Sequence, residues 1–370
     1  MKKFLISVCA ALFILSAPLS AFEWGGVVRD DTGISTPDFK DLTIKQSNGI
    51  SLWFNAPLGE GSGFALSGEA LYKYLFTIAG EEKTFINIAD VPLLKVAGTI
   101  NTAGGRLSLN AGRFSTADGT GAVLAQTCDG LAISYAMPTL KIGAYAGYTG
   151  FVNALNTAMA VAPENDNKIY NMAYKVAPVG ASFELPSLFA NQSISLQGYA
   201  LIDLGSNKTN KYFANFILTG PITNSIFYNL CTSVGSENFK TLMDYSAFSL
   251  YVFPTSELSI TAGVEYGSGE QGKLSPYSSL SVKSADVASK ILPKLSVTYG
   301  TKSLCLDVGG RYILACNEGK YDGAGAEANL GFVYNIFSDL QVGFNATAFF
   351  DTTEAKANNY SANLNIALAF

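Results

Sequence analysis

The sequence predicts an all-β fold, a closed transmembrane barrel of about 18 antiparallel strands, with 16 as the alternative. Three observations predict it. Hydrophobic residues make up 48% of the 370, yet charged residues only 14%, well below the roughly 25% usual for soluble domains. Past the first residues no run of about 20 apolar residues could form a spanning helix. Instead, apolar residues recur with period two along segments about ten residues long.

Composition narrows the class further. Mean hydropathy is +0.23, too high for a soluble surface of this size. There are 36 Gly and 43 Phe plus Tyr, a pairing that no collagen, coiled-coil or disordered composition matches. The chain has no His. That removes Ser-His-Asp and Cys-His triads and the usual zinc ligand sets, so neither a metal nor a cofactor is expected.

The chain opens MKKFLISVCAALFILSAPLSA. Lys2 and Lys3 are a positive start, Phe4 to Leu15 an apolar stretch, and Ala21 a small residue for cleavage. This reads as a secretory signal peptide over 1–21. Residues 22–370 then form a single barrel domain. Cys9 sits inside the apolar stretch without a small residue before it, so lipidation is not expected. Without Lys2 and Lys3, 22 basic residues face 29 acidic ones, and a net charge near −7 argues against nucleic acid as a partner. Four cysteines remain: Cys128, Cys231, Cys305 and Cys316. An oxidising compartment allows disulfides. Cys305 and Cys316 could pair only across a turn, because 11 extended residues span roughly 35 Å; free thiols are the simpler reading.

The strands follow from the alternation. In the last eleven residues Tyr360, Ala362, Leu364, Ile366, Leu368 and Phe370 share one face, and Ser361, Asn363 and Asn365 the other. In Gly63–Phe76, Phe64, Leu66, Ala70, Tyr72, Tyr74 and Phe76 oppose Ser67, Glu69 and Lys73. Glu257–Gly267, Ser303–Leu314 and Asp339–Phe350 repeat the pattern. A soluble β-sandwich also alternates. These strands are longer than the usual five or six residues, too numerous, and often flanked by Tyr or Phe, as an interfacial girdle is.

Turn chemistry gives an independent test. Tight turns are expected near Pro57–Gly63, Thr102–Gly105, Pro138–Thr139, Pro186–Gln192, Gly220–Ile222, Pro254–Glu257, Gly300–Ser303 and Phe337–Asp339. Longer loops are expected at Ser115–Cys128, Thr149–Ala177, Ser268–Leu292, Ala315–Gly325 and Asp351–Asn359. With a first strand at Phe22–Asp30, both chain ends fall on the turn side. Only a closed barrel satisfies every backbone group in lipid, and this strand number leaves a wide lumen. The stretch Thr32–Ser47 is too short to be a plug domain.

The leader, the alternating strands and the terminal Phe370 together resemble an outer-membrane porin of a diderm bacterium. The segments LNAGRFSTADG (Leu109–Gly119) and DGLAISY (Asp129–Tyr135) resemble strands of several porin-like families. The resemblance implies a barrel in the outer membrane, with loops at the cell surface. Its partners would be outer-membrane lipid, small solutes and further copies of itself in a homo-oligomer. In that class the final strand is read by the barrel assembly machinery, and Tyr360, Leu364, Ile366, Leu368 and Phe370 fit that signal.

Strand parity predicts the inward charges Glu69, Lys73, Lys95, Lys141, Glu184, Asp203, Glu265, Asp307, Arg311 and Glu327. About six acids against four bases implies a weak preference, slightly for cations. Arg113 breaks its strand's pattern. Either Gly112 makes a bulge that turns Arg113 inward, the preferred reading, or Arg113 sits at the outer rim. Thr149–Ala177 is the longest loop, and its start is apolar. It is expected to fold into the lumen as a constriction, with Phe151, Val152, Leu155, Met159 and Val161 facing the pore; a subunit contact or a strand extension are the alternatives.

Enzymes with this architecture, such as outer-membrane phospholipases, omptin-like proteases and lipid A acyltransferases, use a catalytic His. None exists here, so no enzyme is expected. Asp30–Asp31 and Glu81–Glu82 read as solvated loop pairs. Two non-enzymatic classes remain: a passive channel for small hydrophilic solutes, or a surface barrel that is adhesive or structural. A fatty-acid-transporter-like barrel for hydrophobic substrates is a third variant.

Overall fold

The computed structural model describes residues 22–149, 152–154, 170–172, 175–205, 208–353 and 357–370. Residues 1–21, the expected signal peptide, lie outside them. Period-two alternation produces long strands. In chain order they are β1 (Glu23–Pro37), β2 (Thr43–Pro57), β3 (Phe64–Ala79), β4 (Glu82–Thr102), β5 (Gly105–Ala117) and β6 (Leu124–Ala136). Next come β7 (Lys141–Tyr148), β8 (Val176–Phe189), β9 (Gln192–Asp203), β10 (Lys211–Thr223), β11 (Ile226–Glu237) and β12 (Thr241–Val252). The last six are β13 (Leu258–Gly267), β14 (Lys290–Gly300), β15 (Leu304–Asn317), β16 (Lys320–Asn335), β17 (Leu340–Asp351) and β18 (Asn359–Ala369). Each pairs antiparallel with the next, and β1 closes the ring on β18 from Val27↔Ala369 to Pro37↔Asn359. The result is a closed barrel of 18 strands.

Hairpin ends alternate between the two rims. The rim that holds both chain ends carries short turns such as 103–104, 190–191 and 224–225. The other rim carries the long connections, 149–175 and 268–289 among them. Three expectations are corrected. Residues 315–325 are not a loop: β15 and β16 run on to a two-residue turn, with Glu318 and Gly319 at φ 47° and 80°. Positive φ at both central positions gives the twist that a tight hairpin needs. The turn expected at Gly220–Ile222 falls at 224–225, because β10 continues to Thr223. The first strand runs on to Pro37, so Asp30 and Asp31 lie in a strand rather than a loop.

The two faces separate by chemistry. Outward are Val308 (56% exposed), Leu131 (52%), Leu364 and Ile366. Outward aromatics sit close to strand ends, Trp24, Tyr135, Tyr299 and Tyr334 by the short turns and Tyr148, Tyr212, Tyr266 and Tyr360 by the long loops. Two such girdles bound the apolar band of a membrane barrel. No helix among the described residues is long and apolar enough to cross a membrane. The four cysteines are free thiols, Cys128 and Cys231 buried, Cys316 half-buried and Cys305 exposed.

Candidate functional site: a half-filled lumen

Among the described residues, two long-rim connections turn inward. The shorter, 118–123, is held by Asp118. Its carboxylate accepts from the backbone amides of Thr120 (2.9 Å), Val123 (3.0 Å) and Leu124 (2.8 Å), and from the Thr120 hydroxyl. It also accepts from Asn215 Nδ2 on β10 at 3.0 Å. Gly119 N donates to Gln197 on β9 at 2.9 Å. The loop thus leaves β5 and lies against a wall four to five strands away.

The longer connection, 268–289, enters from β13. It is rich in serine, and the serines satisfy backbone groups that water cannot reach. Leu280 N donates to Val123 O at 3.0 Å, Ser281 Oγ to Gly121 O at 2.6 Å, and Ser279 Oγ to Ala122 O. Leu280 and Ser281 pair in parallel with Leu124 and Ala125 at the head of β6. Ser281 then caps the short helix α1 (Val282–Val287), accepting from Lys283 N. The two connections therefore join into one crossbar.

Apolar side chains fill the space between crossbar and wall. Ala122, Val123, Tyr277, Leu280 and Val287 from the loops pack with Phe114, Cys128, Tyr145, Leu201, Phe213, Ile217, Cys231, Met243, Tyr245 and Leu292 from the strands. The Tyr277 ring lies tilted against Tyr245, 5.6 Å between centroids, and its hydroxyl donates to Ser233 Oγ at 3.3 Å. Burial pushes the Tyr277 hydroxyl well above the ordinary tyrosine range, so it stays a neutral donor. Among the described residues, the arc from β5 to β14 is thus occupied at the long-rim end, and the arc from β15 through β18 to β4 is left open there.

Charges edge this crossbar. Glu265, almost buried, accepts from Lys294 and lies 3.4 Å from Lys283 Nζ. Arg311 bridges Asp286 of α1 at 2.7 Å and Glu327 at 3.1 Å. Three bases, Lys283, Lys294 and Arg311, thus face three acids, Glu265, Asp286 and Glu327, so this edge of the crossbar is charged but locally neutral. Further along the wall Asp307 accepts from Thr298 (2.8 Å) and Asn329 (2.9 Å), and Asp31 accepts from Asn365.

The other expected residues divide. Glu69, Lys73 and Lys95 share the inward parity of Ser67 and Ser47 on the open arc. Lys141 and Glu184 form an ion pair at 3.2 Å near the short-turn rim, far from the 149–175 connection. Asp203 is spent on its own loop, accepting from Gly205 N (2.7 Å) and Thr209 N (2.9 Å).

Arg113 is a correction. Gly112 does have φ 123°, but the register runs through it without a shift. Arg113 pairs with outward Leu94 and with Asp129, which donates no proton but accepts two, at 3.0 and 2.8 Å. Asp129 in turn faces Tyr148 of the girdle. The ion pair therefore sits at the long-rim interface, where a charge in a barrel costs little. Phe114, the next residue, is the one that points inward.

The expected constriction residues Phe151, Leu155, Met159 and Val161 lie outside the described residues. Val152 lies in a short strand, Val152–Ala154, paired with Tyr170–Met172. Sequence reasoning missed the actual crossbar, and also Arg29, Asp31, Lys45, Lys283, Asp286 and Lys294. The available signal was single apolar residues, Tyr277, Leu280 and Val287, spaced through a serine-rich loop. Among the described residues no group of three or more acidic or cysteine side chains could hold a metal.

No protein-family model matches the sequence, and no curated protein matches it. Solved structures do match in fold. The Pseudomonas aeruginosa barrel OpdK, solved with vanillate, superposes with a TM-score of 0.65 at 14% identity, covering 95% of this chain and 99% of its own. OccK2 (OpdF) from the same organism, in complex with glucuronate, gives 0.65 at 12% identity over 95% and 98%. OccK7 (OpdD) gives 0.66 at 11% over 95% and 99%. The chain therefore has the closed, 18-stranded, porin-like β-barrel fold of these outer-membrane proteins.

Proposed function

We propose that the protein is an outer-membrane channel through which small hydrophilic solutes pass by diffusion. The observation that carries this is the half-filled lumen. A crossbar of buried loops narrows one arc, while among the described residues the facing arc is lined by Asn, Ser and Thr side chains and open. A purely structural barrel needs no such asymmetry, and a hydrophobic-substrate carrier needs an apolar path rather than an amide-lined one. Two barrels of the same fold are solved with small polar solutes, vanillate and glucuronate, which is consistent with this use of the lumen.

Charge selectivity is weak in this reading. The cation preference suggested by the inward acids is offset once Arg29, Lys45, Lys283 and Lys294 are counted beside Asp31 and Asp286. Paired charges at the crossbar leave no ring of one sign. The leader over 1–21 directs export, and the long-loop rim faces the exterior. Purified protein in a planar bilayer tests the reading. Stepwise conductance with a reversal potential near zero in a salt gradient is expected. A correctly folded barrel that passes no ions would sink it in favour of a surface role.

A further inference from the structure

The wall opposite the crossbar contains a cavity of 590 Å³, bounded by β17, β18, β1, β2 and β3. That volume lies within the ~300–1,000 Å³ of small-molecule sites. Its inward uncharged polar groups include Ser47, Thr77, Asn345, Thr347, Ser361 and Asn363. We infer that this wall is a binding site for a neutral, polyhydroxylated solute of monosaccharide size. The inference rests on the channel reading above and names the solute class.

Three observations lead there. First, among the described residues those six side chains make no side-chain hydrogen bond to protein, whereas amides elsewhere in the lumen, Asn329 and Asn365, are spent on Asp307 and Asp31. The cavity therefore offers hydroxyls and amides, donor and acceptor side by side, whose present demand can be met only by water or a solute. Each Asn carries an acceptor oxygen and a two-proton donor in one plane, which suits a pair of neighbouring hydroxyls. Second, the cavity's formal charges cancel. Asp31 and Lys45 are its single acid and base, and Asp31 already accepts from Asn365. A charged solute thus gains little from the site as a whole. Third, Leu75 lines the cavity among these polar groups, giving the apolar patch that the C–H face of a sugar ring needs.

The test uses D-glucose as probe, with glucuronate as its charged counterpart of the same size. In a planar bilayer, glucose should interrupt the ion current in a concentration-dependent way, at lower concentration than glucuronate. The Asn345→Ala/Asn363→Ala double variant should weaken the apparent glucose affinity about tenfold, the loss of two hydrogen bonds of about 0.7 kcal/mol each. Heat-modifiable gel mobility establishes that the variant is folded. Glucuronate binding as tightly as glucose, or a variant that binds glucose unchanged, would overturn the inference and leave the channel reading standing. A barrel without ion conductance would overturn the channel reading instead. Calorimetric titration of glucose into the folded barrel in detergent then still decides the site, supporting it if heat of binding is lost in the double variant and overturning it if none is seen in the native chain.

Discussion

Asp118 takes five hydrogen bonds on one carboxylate inside the lumen, two on Oδ1 and three on Oδ2. An Asn here keeps one acceptor oxygen and turns an NH₂ toward donors, so at least two bonds are lost. Bonds to a charged acceptor are worth about 1.5–3 kcal/mol each. Asp118→Asn should therefore loosen the crossbar by about 3 kcal/mol or more, and single-channel recordings should show a larger, noisier current. An unchanged trace would mean that apolar packing alone holds the loop. Arg113 and Asp129 give a second residue-scale prediction. Arg113→Leu leaves Asp129 unpaired at the lipid interface and should cost about 1–3 kcal/mol in urea unfolding. The double variant Arg113→Leu/Asp129→Leu should recover most of it; additive losses would argue that the pair is not coupled. The sequence marked both residues but not their relation. Parity exposed Arg113 as an exception, whereas its partner sat 16 residues away on the next strand.

At the scale of elements, the strands were legible because lipid and water impose opposite demands on alternate residues. The last strand reads Tyr360, Leu364, Ile366 against Ser361, Asn363, Asn365, and the structure separates them the same way. Loop destinations were not legible. An apolar run such as 151–161 looks like a lumen segment, yet the crossbar is built by 118–123 and 268–289, whose apolar residues are isolated among Ser, Gly and Thr. Their inward fold depends on cross-lumen partners, Asn215, Gln197 and Ser233, that no local pattern reveals. Two deletions compare the candidates directly. Replacing 276–287 by a short Gly-Ser linker should raise conductance several-fold, because it removes α1 and the tyrosine that packs on the wall. Removing Phe151–Pro163 should raise it less. The reverse order would assign the narrowing to the longer connection.

For the whole molecule, closure is the decisive event, since an open edge in lipid leaves a row of unpaired backbone groups. The seam is β1 against β18. It ends where Phe370 and Gly26 exchange backbone hydrogen bonds, at 2.9 and 3.0 Å. The Phe370 ring lies directly over Gly26: a Cβ there would come within 2.5 Å of its Cζ. The terminal aromatic therefore does two things at once, pairing the last rung of the seam and covering the glycine that makes room for it. Deleting Phe370 removes both. Gly26→Val removes only the ring's seat, because valine retains the backbone donor and acceptor. Both variants should give less heat-modifiable, folded barrel than the native chain, with the deletion more severe. In detergent refolding, where no assembly machinery is present, the deletion tests the seam alone; in cells it also tests the terminal signal Tyr360, Leu364, Ile366, Leu368 and Phe370. A deletion that refolds normally in detergent but fails in cells would assign Phe370 to recognition by the machinery. A deletion that fails in both would assign it to closure, and Gly26→Val should then fail in both as well.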